Sequence, residues 1–383
     1  ELDRLTYLSL QGSSIPSASV STLRQRLPGC VIDYPISPLL LALETSAGIL
    51  PTALGKLGTV TTNPQGAVTA VSIRDIDITD ADLPLLARLS ALEQLSLIGT
   101  QVTGSGLGEL AACSRLTILN LARNPLDSSQ LERLSTLSGL KVLGLRATGL
   151  GDSDLKPVAE LSELVTLQLS GNPITDRALE TIGSLRRLTL LHALATRVTV
   201  EGALASIALT PSLVITCPDG QISGKAITLN RAVDPGITNL IGRLRNLQTL
   251  QLADTPVSKT HMLPLLRLQK LRILGLHSSK LEGTGLSELQ VFTSLVELDL
   301  AGTPFGDQHL PRLKGLKQLA TLGLDLVKEL VDNSLDACEE AGIAAEILVQ
   351  VDEQGILVTD NGPGIPPEVG GRCLGLLVAR VES

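Results

Sequence analysis

The chain is 383 residues long, carries a formal net charge of -8, and is 43% hydrophobic but only 1% aromatic. With just Tyr7, Tyr34, Phe292 and Phe305 to supply rings, aliphatic side chains must fill the interior, which excludes an ordinary mixed globular core. The acidic balance and the lack of a long basic run argue against a duplex-binding surface, which needs clustered Lys and Arg, so no nucleic acid partner is expected.

The first residues, "ELDRLTYLSL", lack both an initiator Met and a basic-then-apolar leader, as expected of a fragment or a processed chain. Leucines at 5, 8 and 10 then run into "LRQRLPGCVIDYPISP", which reads as the closing strand of an array ending near residue 34. Residues 35–61 read as an irregular link. Its most apolar part, "SPLLLALETSAGIL", is broken by Glu44 and Ser46, and no run reaches the roughly 18 residues a membrane span needs, so no membrane contact is expected.

From residue 62 the sequence becomes periodic. "VTAVSI" at 68, "LEQLSL" at 92, "LTILNL" at 116, "LKVLGL" at 140, "LVTLQL" at 164 and "LTLLHA" at 188 recur every 24 residues. The period stops at "IALTPSLVITCPDGQ", again a closing strand, and resumes with "LQTLQL" at 247, "LRILGL" at 271, "LVELDL" at 295 and "LATLGL" at 319. Two arrays are expected, 62–217 and 218–326. Within each copy the alternation predicts a short strand burying Leu95 and Leu97 while Gln94 and Ser96 face outward. Leucines three apart, as in Leu83, Leu86 and Leu89 or Leu310, Leu313 and Leu316, predict one stripe of a helix or 3₁₀ turn. A small polar residue follows eight positions after the first leucine: Thr100, Asn124, Thr148, Asn172, Thr196, Thr255, Ser279 and Thr303. There it can satisfy backbone groups of the adjoining coil, until Val327 ends the series.

This pattern resembles the leucine-rich repeat family, which implies an α/β solenoid of parallel strands and short helices, with a concave strand face that binds a protein partner. The outward positions are Gln94, Ser96, Ile118, Asn120, Thr166, Gln168, His192, Thr249, Gln251, His277, Glu297 and Asp299. Almost none is Trp, Tyr or Arg, which dominate interface energies, so a low-affinity contact or a spacer role is the alternative. His192 and His277 have no ligand at metal spacing and read as surface histidines, while His309 in "GDQHLPRL" reads as a helix start. Cys30, Cys113, Cys217, Cys338 and Cys373 are odd in number and scattered, which points to reduced, mostly buried thiols in a cytoplasmic protein.

Residues 327–383 change character. "LVKELVDNSLDACEEAG" spaces Leu326, Leu330, Val331, Leu335 and Cys338 as an amphipathic helix stopped by Gly342. Glu329 and Asn333, four apart, share a face that continues to Asp336, so a carboxylate and an amide can meet one small ligand. Two alternating runs, 345–351 and 355–359, flank "DEQG" as a hairpin. Asp360, Asn361, Gly362, Pro363, Gly364, Ile365 and Pro366 then turn tightly, leaving an acid beside glycines that allow close approach of a flat base.

Helix with Glu-x-x-x-Asn, hairpin and Asp-x-Gly-x-Gly-Ile in this order resembles the GHKL ATPases, the group of gyrase B subunits, MutL and histidine-kinase ATP-binding domains. Within that group it is most similar to the topoisomerase VI type. The resemblance implies ATP and Mg²⁺ as cofactors. Glu329 would then position or deprotonate the attacking water, Asn333 hold the metal, Asp360 bond the adenine amino group, and Gly362 and Gly364 shape the pocket. Gly371 and Gly375 stand where a remnant second glycine box would meet phosphates. The 57 residues from 327 to 383 are short for the whole family domain, which leaves two alternatives: a degenerate cap over the last repeat, or an ATPase completed by further sequence or another chain.

Overall fold

The computed structural model describes residues 5–10, 22–23, 26–33, 37–255, 257–279, 286–303, 313, 315–323, 347–352 and 355–360. The chain divides into two compact units, one of residues 1–202 and 215–218 and the other of residues 203–214 and 219–383.

In the first unit, β1 (Tyr7–Ser9) and β2 (Val31–Asp33) pair in parallel, Tyr7 opposite Val31, the same 24-residue step that governs the later coils. The stretch expected to be an irregular link instead folds. Ser37 caps a helix Pro38–Glu44 by accepting from Leu40 N at 3.2 Å, a second helix spans Leu50–Leu57, and β3 (Gly58–Thr62) pairs antiparallel with β4 (Val68–Arg74). The misreading has a physical cause, since a proline after each helix entry looks like a breaker but sits in the first turn, where no amide donor is needed. Ser37 also donates to the fully buried Asp82, whose other oxygen accepts from Thr79 N at 2.9 Å. These bonds tie the helical segment to the first parallel coil.

From β4 the strands run parallel through β5 (Gln94–Ile98), β6 (Ile118–Asn120), β7 (Val142–Gly144), β8 (Thr166–Gln168) and β9 (Leu190–His192). The register holds the step of 24: Ala70 faces Gln94, Gln94 faces Ile118, Ile118 faces Val142, and so to Leu190. Ala193 N then donates to Thr216 O in β10 (Val214–Cys217) at 2.7 Å. Leu95, Leu97, Leu119, Leu143, Leu167 and Leu191 are fully buried, as the alternation predicts. Each contributes roughly 1.5–3 kcal/mol of burial that one coil could not provide without its neighbours. Leu83 and Leu86 are buried behind the strands, while Leu89 is only half-buried.

The second unit opens with an antiparallel pair, β11 (Gly220–Ser223) and β12 (Ala226–Leu229), and then stacks β13 (Thr249–Leu252), β14 (Ile273–Gly275), β15 (Glu297–Asp299) and β16 (Thr321–Gly323) in parallel. Asp234 caps the helix Pro235–Ile241, its Oδ1 accepting from Gly236 N at 2.7 Å and Ile237 N at 3.0 Å. Each unit is therefore a leucine-rich repeat solenoid of parallel strands backed by short α and 3₁₀ helices.

Two features recur at the strand exits. Asp75, Gly99, Arg123, Ala147, Gly171 and Ala195, each 24 residues from the last, are left-handed with φ between 51° and 74°, and Asp254, Ser278 and Gly302 repeat this in the second unit. The left-handed residue turns the chain off the strand while its N–H still reaches the next coil: Arg123 N donates to Arg146 O at 2.8 Å and Ala147 N to Ser170 O at 2.9 Å. The small polar position comes immediately after. Asn124 Nδ2 donates to Leu97 O at 2.6 Å and Leu121 O at 2.9 Å, and its Oδ1 accepts from Val102 N at 3.2 Å and from Thr100. Asn172 repeats the set on Leu145 O, Leu169 O, Leu150 N and Thr148. The expected role of this position holds at Asn124, Asn172 and Thr255; the Thr196 and Thr303 hydroxyls instead donate to Ala193 O and Leu300 O of their own coils, and the buried Ser279 hydroxyl has no partner among the described residues.

Candidate functional site

Two regions carry functional expectation, and the first is the outward strand face. Ser96, Ile118, Asn120, Thr166, Gln168, His192, Thr249, Gln251, His277, Glu297 and Asp299 are half-buried at their outward positions, and Gln94 is exposed. The floor is low where Asn120 and Gln251 lie across Gly144 and Gly275, so closely that a Cβ on either glycine would collide with the overlying amide. Asn120 also accepts from Ala122 N at 3.0 Å, and Asp299 from Ala301 N at 3.0 Å, so these polar groups brace the strand exits. His192, expected as a surface histidine, is half-buried with Nδ1 3.0 Å from Thr216 Oγ1.

Sequence reasoning missed the arginines of this face because it stopped at the last leucine of each motif. One position further on, Arg74 and Arg146 stand exposed at strand exits, and Arg123 follows in the adjoining left-handed column. Arg123 Nη2 meets Asp75 Oδ1 at 2.6 Å across the coil between them, passing over Gly99, where a Cβ would strike the Asp75 carboxylate. Half exposed at both ends, this ion pair contributes well under about 1 kcal/mol and serves mainly to cancel charge. Also unforeseen was His261, which closes a capping box at Lys259–Leu265: its Nδ1 lies 2.8 Å from Ser258 Oγ and 3.3 Å from Ser258 N, and a hydroxyl three residues before the ring was the available signal.

Cys113 and Cys217 are buried, as expected, while Cys30 is half-buried, and burial pushes the Cys113 thiol above its ordinary range. Among the described residues no group of three His, Cys, Asp or Glu could hold a metal, and no helix is long and apolar enough to cross a membrane.

The second region is the C-terminal segment. β17 (Ile347–Asp352) and β18 (Gly355–Asp360) form the expected antiparallel hairpin, with Asp352 opposite Gly355 at the turn. Asp360 is the last residue of β18 and pairs with Ile347 at the open end. Glu329, Asn333, Asp336, Asn361, Gly362, Gly364, Ile365, Gly371 and Gly375 lie outside the described residues, as do His309, Cys338 and Cys373.

No family profile matches the chain. Among curated proteins it is similar to the B subunit of type 2 DNA topoisomerase 6 from Methanosarcina acetivorans, 62% identical over 47 residues that make up 11% of this chain and 8% of that protein. The Archaeoglobus fulgidus counterpart is 52% identical over 59 residues, 13% of this chain and 10% of that protein. That of Pyrococcus horikoshii is 48% identical over 63 residues, 15% and 11% respectively. The chain thus spans about a tenth of the length of the curated relatives it matches.

Solved structures of similar fold include an internalin of Listeria monocytogenes, at 17% identity and a TM-score of 0.41 over 75% of this chain and 88% of that one. A leucine-rich repeat protein of Leptospira interrogans matches at 18% identity and 0.40 over 65% and 83%, and the Toll–Spätzle complex of Drosophila at 16% and 0.47 over 68% and 37%. The assignment of leucine-rich repeats rests on the 24-residue register and the buried leucines rather than on these likenesses.

Proposed function

We propose that this chain is a cytoplasmic protein-interaction scaffold of leucine-rich repeats carrying a GHKL-like element that binds Mg-ATP. The observation that carries the nucleotide half is a short segment 62% identical to a topoisomerase 6 B subunit, together with Glu329, Asn333 and Asp360 at the spacing of the resemblance. The hairpin supports it, since its second strand ends at Asp360, immediately before the glycine-rich stretch of the sequence. Bound Mg-ATP supplies a phosphoanhydride whose charge the metal offsets. Asn333 holds the metal, with Asp336 further along the same helix stripe, Asp360 accepts from the adenine amino group, and Glu329 orients water. Asn361, Gly362, Gly364 and Ile365 form the turn against the base, while Gly371 and Gly375 border the phosphates.

In the repeat half, regular strands hold rows of outward side chains in fixed register over many coils, a geometry suited to a protein surface. The scattered, odd-numbered cysteines support a reducing compartment. We take residues 1–34 as the end of an array, 35–61 as a folded helical lead-in to the array of 62–217, 218–326 as a further array and 327–383 as the ATPase-like element. Fluorescent ATP titrated with and without Mg²⁺ tests the nucleotide reading: Mg²⁺-dependent binding should vanish in Asn333→Ala and in Asp360→Asn. Binding absent from the unmodified chain, or untouched by both substitutions, would leave residues 327–383 as a cap.

A further inference from the structure

We propose that the strand face of the first unit takes an extended acidic segment of a partner protein, with its carboxylates against Arg74 and Arg146 and its aliphatic side chains along Ile118, Val142 and Leu190. This rests on the protein-interaction reading above and adds the chemistry of the partner.

The first support is the placement of charge. Through the six coils from residue 68 to residue 195, the outward strand positions and the left-handed column beside them carry three arginines and a single carboxylate, Asp75. Asp75 is already held by Arg123. Arg74 and Arg146 are exposed, and among the described residues neither side chain has an ion pair or hydrogen bond. In a chain of net charge -8, the acids therefore lie elsewhere on the coils, and this face is locally positive. Guanidinium groups left free at fixed points suit bidentate carboxylates.

The second support is spacing. Arg74 and Arg146 occupy equivalent positions three coils apart, which at strand separation is ~14 Å. An extended chain advances ~3.3 Å per residue, so two acids about four residues apart would reach both arginines. Between them in the same column stand Ile98 and Ala122, uncharged and aliphatic, so no side-chain charge interrupts the row that joins the two arginines. Beside it Ile118 and Val142 hold adjoining outward positions of one column, and Leu190 follows in that column beyond Thr166; all three are aliphatic and half-buried where a purely solvated face would be polar. With no aromatic side chain among these positions there is no stacking platform for bases, which favours a peptide over single-stranded nucleic acid.

The test pans a phage-displayed library of random twelve-residue peptides on the full chain and measures the affinity of the selected peptides by fluorescence anisotropy. The proposal expects enriched Asp or Glu at two positions about four apart with Val, Ile or Leu near them, and affinity that falls about tenfold or more in Arg74→Glu/Arg146→Glu and with rising salt. Both positions are exposed, and an unchanged circular dichroism spectrum establishes that the double variant folds. Selected peptides lacking acids, or ones that ignore the double variant yet are lost in Val142→Asp, would overturn the acidic partner and leave the protein-binding face intact. Peptides indifferent to both changes would overturn the face reading as well. A single-stranded oligonucleotide that binds the unmodified chain more tightly than any selected peptide, and is lost in the double variant, would replace the peptide by nucleic acid.

Discussion

Asn124→Ala should be among the most damaging substitutions available in the first unit, although it removes a side chain that touches no ligand. Asn124 is 2% exposed, and its amide satisfies Leu97 O and Leu121 O while its carbonyl oxygen takes Val102 N and the Thr100 hydroxyl. Alanine reproduces none of these bonds. Each buried polar group left without a partner costs about 1–3 kcal/mol, and two or three stranded groups give roughly 3–5 kcal/mol. With a urea slope of about 3 kcal/mol per M, the upper end of the usual range because the chain is long, the unfolding midpoint should fall by about 1–2 M at unchanged slope. Asn124→Thr should cost less, because Thr100 and Thr148 occupy the same position in neighbouring coils. Ser279→Ala supplies the opposite sign within the same series: its buried hydroxyl has no partner among the described residues, so removal should be neutral or stabilise by up to about 1 kcal/mol. A loss below about 1 kcal/mol in Asn124→Ala, or a larger loss in Ser279→Ala, would refute the view that this polar series pins coil to coil.

The left-handed column predicts that Ala147→Gly stabilises by about 0.5–1 kcal/mol, since relief of the side-chain clash exceeds the extra freedom glycine gains when unfolded, and thermal denaturation should show it. Gly99→Ala should destabilise in the same assay, because its new methyl meets the Asp75 carboxylate as well as the unfavourable backbone angle. Burial raises the Cys113 thiol above its unfolded range, so the folded state keeps its proton longer; this contribution to stability is whole at neutral pH and declines as pH climbs past the ordinary thiol value. Iodoacetamide should accordingly modify Cys113 in the native chain more slowly than Cys30, with the difference erased in urea. In the second unit the Thr255 hydroxyl reaches the adjoining coil at Val233 N, whereas among the described residues the Thr303 hydroxyl bonds within its own coil and the Ser279 hydroxyl has no partner. Hydrogen exchange should find the strand amides of Thr249–Leu252 and Ile273–Gly275 less protected, by about tenfold, than those of Ile118–Asn120 and Thr166–Gln168.

The repeat was readable because one residue type carries it. A leucine buried in coil after coil leaves the same letter every 24 positions, so strands, register and core followed from spacing alone. The polar series was readable for the same reason, though not its exceptions at Thr196, Ser279 and Thr303. The left-handed column was hidden: a backbone angle leaves no fixed letter when Asp75, Arg123, Ala147 and Gly171 all adopt it. The helices before residue 58 went unread because they are short, each carries a proline in its first turn, and the first is anchored by the distant pairing of Ser37 with Asp82. Of the candidate nucleotide site, the hairpin was legible from its alternation and the position of Gly355, expected over 345–351 and 355–359 and found over Ile347–Asp352 and Gly355–Asp360.

The distribution of demands within a coil explains why its outward face is informative about binding. The inward strand positions are set by burial, the strand exit by a left-handed turn, and the next position by backbone groups that only a small polar side chain can satisfy. Outward positions carry few such duties, since the strand hydrogen bonds are made by backbone whatever side chain projects there. Ser96, Asn120, Gly144, Gln168 and His192 share one column and have little chemistry in common, as expected where the fold imposes little. A bias at such positions therefore needs a cause other than folding. Aliphatic residues at Ile118, Val142 and Leu190 gain little by facing outward, and Arg74 and Arg146 gain nothing from an ion pair they do not make. Their presence together on one face is accounted for by something that covers the first set and answers the charge of the second.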